Sequence, residues 1–326
     1  MNKNIKILVN WFLGPLVFVL LSWSLYRQII NQPDLTHRWA QIKTSWRDWR
    51  FILVILLMFF NWGIEAGKWL VLVKRIQPFS FFRAFKSVLA GSSITMLTPN
   101  RVGEYGGRIL YIEEGKKIKA ISLAIVGSVS QLLITMIMGC LGLFFLRFFL
   151  GNNNGALTIL PQFWMDVLMY LSIGITIILL LFYLRLGWLV RMAEKIPALQ
   201  KAVNHIKVLD EFSDKQLGQV LFLSLLRYID FVLQYVLVLK VMQVEIDLLL
   251  CFWLVTVFYL VMAIAPTFGF IELPVRVRAS WEIFRLYSLN ELGIGAAALG
   301  IWLINLVVPA IIGSLLILSV KIVKEK

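Results

Sequence analysis

TMLTPNRVGEYGGRILYIEEG, Thr95 to Gly115, sets one proline, four glycines, two arginines and three glutamates into a chain that is otherwise mostly hydrocarbon. Of the 326 residues 60% are hydrophobic and 15% charged, and the mean hydropathy is +0.83, outside the range of soluble domains. Six apolar runs approach or exceed the roughly 20 residues that cross a bilayer core: Ile7–Tyr26, Phe51–Val73, Ile121–Leu146, Met165–Leu184, Leu217–Leu239 and Leu292–Val320. The fold class is therefore an all-α polytopic membrane protein with about six full transmembrane helices. The quoted stretch decides how they are joined. Apolar residues from Phe79 reach Pro99 and break, and Leu248–Ala265 likewise meets Pro266. Both read as re-entrant broken hairpins, over 79–115 and 248–290.

The first run follows Lys3 and Lys6 but ends in Tyr26 and Arg27 with no small-residue cleavage site, so it reads as a retained anchor. A net charge of +14 would suggest nucleic acid for a soluble chain. Here the cations lie between and beside the apolar runs, where they set topology and meet anionic headgroups. Arg185, Arg191, Lys195, Lys201, Lys207 and Lys215 follow one run, and the uncharged GNNNGALTILPQ precedes it. Cations collect on the cytoplasmic side. Both termini are thus expected inside a cell inner or plasma membrane. Arg27, Arg38, Lys43, Arg47 and Arg50 fall in a loop this scheme puts outside; Trp39, Trp46 and Arg50 recur at helical spacing, as in an amphipathic helix lying in the interface.

Self-comparison joins the two broken stretches. Pro99, Gly103, Glu104 and Arg108 of TPNRVGEYGGR find counterparts in Pro266, Gly269, Glu272 and Arg276 of APTFGFIELPVR, at separations of 167, 166, 168 and 168. Glu65 and Asp230 pair at 165, VLVK at Val71–Lys74 echoes LVLK at Leu237–Lys240, and Gln131 and Gly139 pair with Asn305 and Gly313 at 174. Each half, 1–150 and 151–326, holds three full crossings, an odd number. The halves are expected to be inverted-topology repeats, the pattern of secondary transporters.

Broken backbone at membrane depth survives only where protein or a water-filled cavity satisfies it. Pro99, Gly103, Pro266 and Gly269 are placed to shape the hairpins. Arg101, Arg108, Arg276 and Arg278 suit a phosphate clamp, while Glu104 and Glu272 can hold those arginines, bind a cationic headgroup or carry a proton. Ordinary i,i+4 ion pairs within each hairpin are the simpler alternative. Glu65, Lys68, Arg227 and Asp230 are ionisable residues inside spans, placed either for internal salt bridges or to line a cavity. Gly63 and Gly67 form a G-x-x-x-G suited to close helix packing, and Gln131 and Asn305 suit interhelical hydrogen bonds. The two cysteines, Cys140 and Cys251, lie in apolar runs as packing residues. Nucleotide-loop, zinc-protease, Cys-rich metal and serine-nucleophile motifs are missing. No catalytic role, metal or cofactor is therefore expected.

TPNRVGEYGGR followed by a long apolar helix, with the later APTFGFIELPVR, resembles the paired TPGRVGE...R and P-G-G-x-G-x-x-E signatures of the lysylphosphatidylglycerol synthetase transmembrane region, a flippase-like family. The resemblance covers most of the chain. In that family's multidomain members this region translocates a modified phospholipid that a separate soluble domain makes. Here Thr267 and Phe268 stand where glycines are usual, and no synthase domain follows by Lys326. The resemblance thus implies lipid handling without aminoacyl transfer, and relatives tied to polyprenyl-phosphate or hopanoid pathways leave the lipid open. The leading expectation is a lipid translocase for an anionic or phosphate-bearing lipid, with a lipid-biosynthesis enzyme as a possible partner and no nucleic acid. The alternatives are a membrane enzyme acting on polyprenyl-phosphate-linked sugar and a non-catalytic cell-envelope scaffold.

Overall fold

The computed structural model describes residues 43–95, 98, 102–150, 162–194, 212–265 and 272–318, together with Trp23, Thr36 and Ala40. Every long element among them is a helix: α1 Trp49–Val73, α2 Phe81–Thr95, α3 Gly103–Ile109, α4 Lys117–Phe145, α5 Gln162–Leu184, α6 Leu186–Glu194, α7 Asp214–Val241, α8 Leu248–Ile264, α9 Glu272–Phe284, α10 Glu291–Trp302 and α11 Val308–Leu318. A π-turn, Leu146–Leu150, prolongs α4, and another, Leu303–Val307, joins α10 to α11. The second has a local cause. Pro309 has no N–H to give the carbonyl four residues back, and the helix widens just before it.

Among the described residues five helices are long and apolar enough to cross a membrane: Trp49–Val73, Lys117–Phe149, Phe163–Leu184, Asp214–Val241 and Glu291–Ile317. They match five of the six expected runs; Ile7–Tyr26 lies outside the described residues. The expected interfacial helix reaching Arg50 is only partly described, and it does not continue to Arg50. A short 3₁₀ turn, Ser45–Arg47, gives way at Asp48, whose extended backbone and side chain cap α1 by accepting Arg50 N–H at 2.9 Å. The Arg50 guanidinium, hydrogen-bonded to that carboxylate, holds Asp48 below the usual carboxylate pKa.

Successive contacts give the direction of each helix. α1 and α7 run antiparallel: Gln234 Nε2 donates to Val54 O at 2.8 Å, and Asn61 meets Arg227 and Asp230. α2 and α3 form a hairpin, since Ser87 Oγ donates to Arg108 O at 3.0 Å and Arg83 Nη2 to Tyr111 O at 2.6 Å. At its base Gln77 accepts Glu113 N–H at 3.1 Å, so the chain returns to the end of α1 it left. α8 and α9 return likewise: Asn290 Nδ2 donates to Met242 O and Gln243 O at 3.0 and 3.1 Å, beside the start of α8. α8 has 17 residues, about 25 Å of helix, shorter than a bilayer core of roughly 30 Å. The first hairpin is thus based at the Val73 end of α1 and the second at the Trp49 end.

The halves also exchange contacts. The first arm of each hairpin packs on the last span of the other half, α2 on α11 and α8 on α4. The two glycines matched at 174 make room for these arms. A Cβ on Gly139 would lie 2.6 Å from Leu260 Cβ, and one on Gly313 would overlap the Leu89 carbonyl. Each is needed for a close approach that no larger residue permits.

Candidate functional site

Arg108 reaches its site because α3 lies backbone to backbone on α2. A Cβ on Gly103 would overlap the Ile94 carbonyl, one on Gly107 the Ala90 carbonyl, and one on Gly91 would lie 2.9 Å from Glu104 O. Trp69 Nε1 then donates to Ser87 Oγ at 3.1 Å, and Ser87 Oγ to the Arg108 carbonyl. The guanidinium, seated 5.2 Å from the Trp69 ring, turns toward α1.

There it joins an ionic cluster near mid-span. Arg108 Nη2 donates to Glu65 Oε1 at 2.6 Å and also to Glu104 Oε1. The other Glu65 oxygen faces Lys68 Nζ at 2.8 Å and Arg227 Nη1 at 3.0 Å. Arg227 Nε donates to Asn61 Oδ1 at 3.1 Å, and Asn61 Nδ2 to Asp230 Oδ2 at 3.0 Å. Gln131 of α4 accepts from Lys68 at 3.4 Å and donates to Ser224 O of α7 at 3.3 Å. Three carboxylates thus stand with three cations across α1, α3 and α7. Lys68, Arg108 and Glu65 are only 1, 3 and 3% exposed. Isolated charges at that depth would be prohibitive, so the groups are stable only as a set.

The second hairpin is simpler. Arg276 Nη2 donates to Glu272 Oε1 at 2.9 Å, with its guanidinium 5.8 Å from the Phe258 ring. Tyr235 OH and Ser280 Oγ are hydrogen-bonded at 2.9 Å. Arg278 does not join Arg276: two residues on, it projects about 200° away around the helix, where it is half-buried and paired with Glu282 at 2.5 Å.

Both i,i+4 pairs expected in the hairpins are present, and so is Glu65–Lys68. Arg227 and Asp230 behave differently. Arg227 crosses to Glu65, and Asn61 serves as the hydrogen-bond partner of Asp230. Among the described residues, a Cβ on Gly63 or Gly67 would meet nothing within 4 Å, so the close packing expected of them is not made with any described helix. Asn305 Nδ2 donates to Gln234 Oε1 at 2.6 Å, an interhelical bond. Pro99, Arg101, Pro266 and Gly269 lie outside the described residues.

Asn61, Trp69, Ser87, Gln234, Tyr235 and Ser280 were not singled out by sequence. A signal existed for several. Asn61 and Arg227, Lys68 and Gln234, and Trp69 and Tyr235 are each 166 apart, as are Val71 and Leu237. In that register Glu65 corresponds to Phe231, and Asp230 stands one residue, about 100°, out of step.

A separate cleft lies at the Trp49 end of α1, lined by Arg50, Lys240, Gln243, Glu245 and Asp247. Its charges have local tasks: Arg50 pairs with Asp48, Lys240 donates to Ile246 O at 2.6 Å and Asp247 caps α8. Among the described residues no group of His, Cys, Asp or Glu is placed to hold a metal, and both cysteines are free. The family model described as lysylphosphatidylglycerol synthase TM region matches residues 11–313. No curated protein and no solved structure matches the chain.

Proposed function

This chain belongs to the lysylphosphatidylglycerol synthase TM region family, and from that premise we propose that it is a lipid translocase. It carries an anionic or phosphate-bearing headgroup across the cell membrane while the hydrocarbon tails stay in the bilayer. The observation that carries the reading is the set of buried Glu65, Lys68, Arg108 and Asp230 with half-buried Glu104 and Arg227, which ties a re-entrant hairpin to two spans near mid-membrane. Ionisable groups at that depth are costly and are functional by default. Support also comes from hairpins based at opposite ends of the bundle and from the antiparallel course of α1 and α7. Inverted repeats would have both features, and they suit alternating access. Lys74, Arg75, Lys116, Lys117, Lys119 and Arg185 gather at the Val73 end of α1, which we place in the cytoplasm with both termini. No covalent step forms part of the reading.

The test is the lipid that co-purifies with the chain. Mass spectrometry is expected to find a phosphate-bearing lipid enriched over the bulk membrane and depleted from Arg108→Lys, which keeps the charge but loses the planar fork. A wild-type profile equal to the bulk membrane would contradict the proposal.

A further inference from the structure

We propose that Glu104 is a resident stand-in for the ligand's phosphate: its carboxylate occupies the Arg108 guanidinium until a phosphate-bearing ligand displaces it. This rests on the translocase reading and refines how its site is occupied.

The two carboxylates on Arg108 are unequal. Glu65, 4% exposed at its side chain, is also held by Lys68 and Arg227. Its departure would leave three buried cations without their shared partner, so it is part of the frame. Glu104 is 26% exposed at its side chain, and among the described residues its carboxylate is held by Arg108 alone. One anion is fixed and the other is removable.

Arg108 also has an unused donor. Its Nε is buried and has no hydrogen-bond partner among the described residues, while both carboxylates meet Nη2. A guanidinium offers Nε and Nη as a planar fork, and a phosphate has oxygens spaced to take both. The ligand would therefore satisfy a donor that Glu104 leaves bare. The same arrangement recurs in the second hairpin, where Arg276 meets the carboxylate four residues before it through Nη2 and its buried Nε has no hydrogen-bond partner among the described residues.

Charge counting points the same way. With three carboxylates and three cations, an anion added while Glu104 stays in place would be an uncompensated buried charge. Exchange of Glu104 for the phosphate avoids this, and the 26% exposure of its side chain leaves the displaced carboxylate a way out of the cluster.

The test uses the full chain in phosphatidylcholine nanodiscs, titrated calorimetrically with inorganic phosphate in one arm and dihexanoyl-phosphatidylglycerol in the other. Glu104→Gln removes a charge-assisted competitor and should bind the lipid probe roughly tenfold more tightly than wild type. Glu104→Asp, with a shorter reach, should fall between them. A gain in the phosphate arm alone would support exchange and assign it to a free anion. Unchanged or weaker binding by both variants in both arms, with melting curves showing them folded, would overturn it. A gain in binding without lipid movement in vesicles would defeat the translocase reading alone; movement without the gain would defeat the exchange alone.

Discussion

The two hairpins are built on one plan and held by different forces. In the first, α3 has seven residues, lies backbone to backbone on α2, and is tied by Glu65 to an ionic network reaching α7. In the second, α9 has 13 residues, and its arginine has Glu272 and the Phe258 ring as neighbours. That hairpin is seated by aromatic packing, with Tyr235 5.0 Å from Phe258 and 6.0 Å from Phe284. The residue that creates the difference is Glu65, because Phe231 occupies its register position in α7 and lies 5.0 Å from Arg227. Movement of the first hairpin would require charges to change partners, whereas movement of the second past α7 would require the Tyr235–Ser280 hydrogen bond to break and rings to slide.

Glu65→Ala attacks that difference most directly. It leaves Lys68, Arg108 and Arg227 without their shared carboxylate, and breaking a buried ionic set costs about 3–5 kcal/mol. Glu272→Ala, which strands one arginine, should cost less in the same thermal or denaturant unfolding measurement. Equal losses would erase the contrast between the hairpins.

Gly107→Ala probes the backbone contact of the first hairpin. Its Cβ would overlap the Ala90 carbonyl, and overpacking of this kind costs about 1–3 kcal/mol. Gly106→Ala, one residue away with nothing among the described residues within 4 Å, should be neutral or gain up to about 1 kcal/mol from helix propensity. Similar melting shifts for the two would mean that α3 does not sit as described. The smallest effect is expected at the base of the second hairpin. Gln243, at φ 57°, ends α7 in the left-handed region, with Val244 N–H bonded to Leu239 O at 2.9 Å. Gln243→Gly should add about 0.5–1 kcal/mol by relieving that backbone.

The helical fold was legible because it depends on apolar run length, and the described residues contain five of the expected spans; the widening before Pro309 was not, because Leu292–Val320 reads as one unbroken run. The matched glycines were legible too, since Gly139 and Gly313 each receive the opposite hairpin. The partner choices inside the cluster were not. Arg227 lies three residues from Asp230, and helical spacing joins them. The packing of α1 on α7 instead brings Glu65 to Arg227 and Asn61 to Asp230. Arg276 and Arg278 show the same limit, because proximity in sequence says little about which face of a helix is buried. Gly63 and Gly67 carried a packing motif that no helix among the described residues uses. Such outcomes depend on tertiary approach, and in α1 and α7 the constant separation of 166 was the trace of that approach in the sequence.

The central claim is movement of a phosphate-bearing lipid through a site that depends on both hairpin arginines. Its most direct test is reconstitution of the full chain into vesicles with fluorescent phosphatidylglycerol, following transfer between leaflets by dithionite quenching. The account predicts transfer well above protein-free vesicles for wild type and its loss in both Arg108→Lys and Arg276→Lys. Wild-type transfer no faster than in protein-free vesicles, or undiminished transfer by both folded variants, would contradict it.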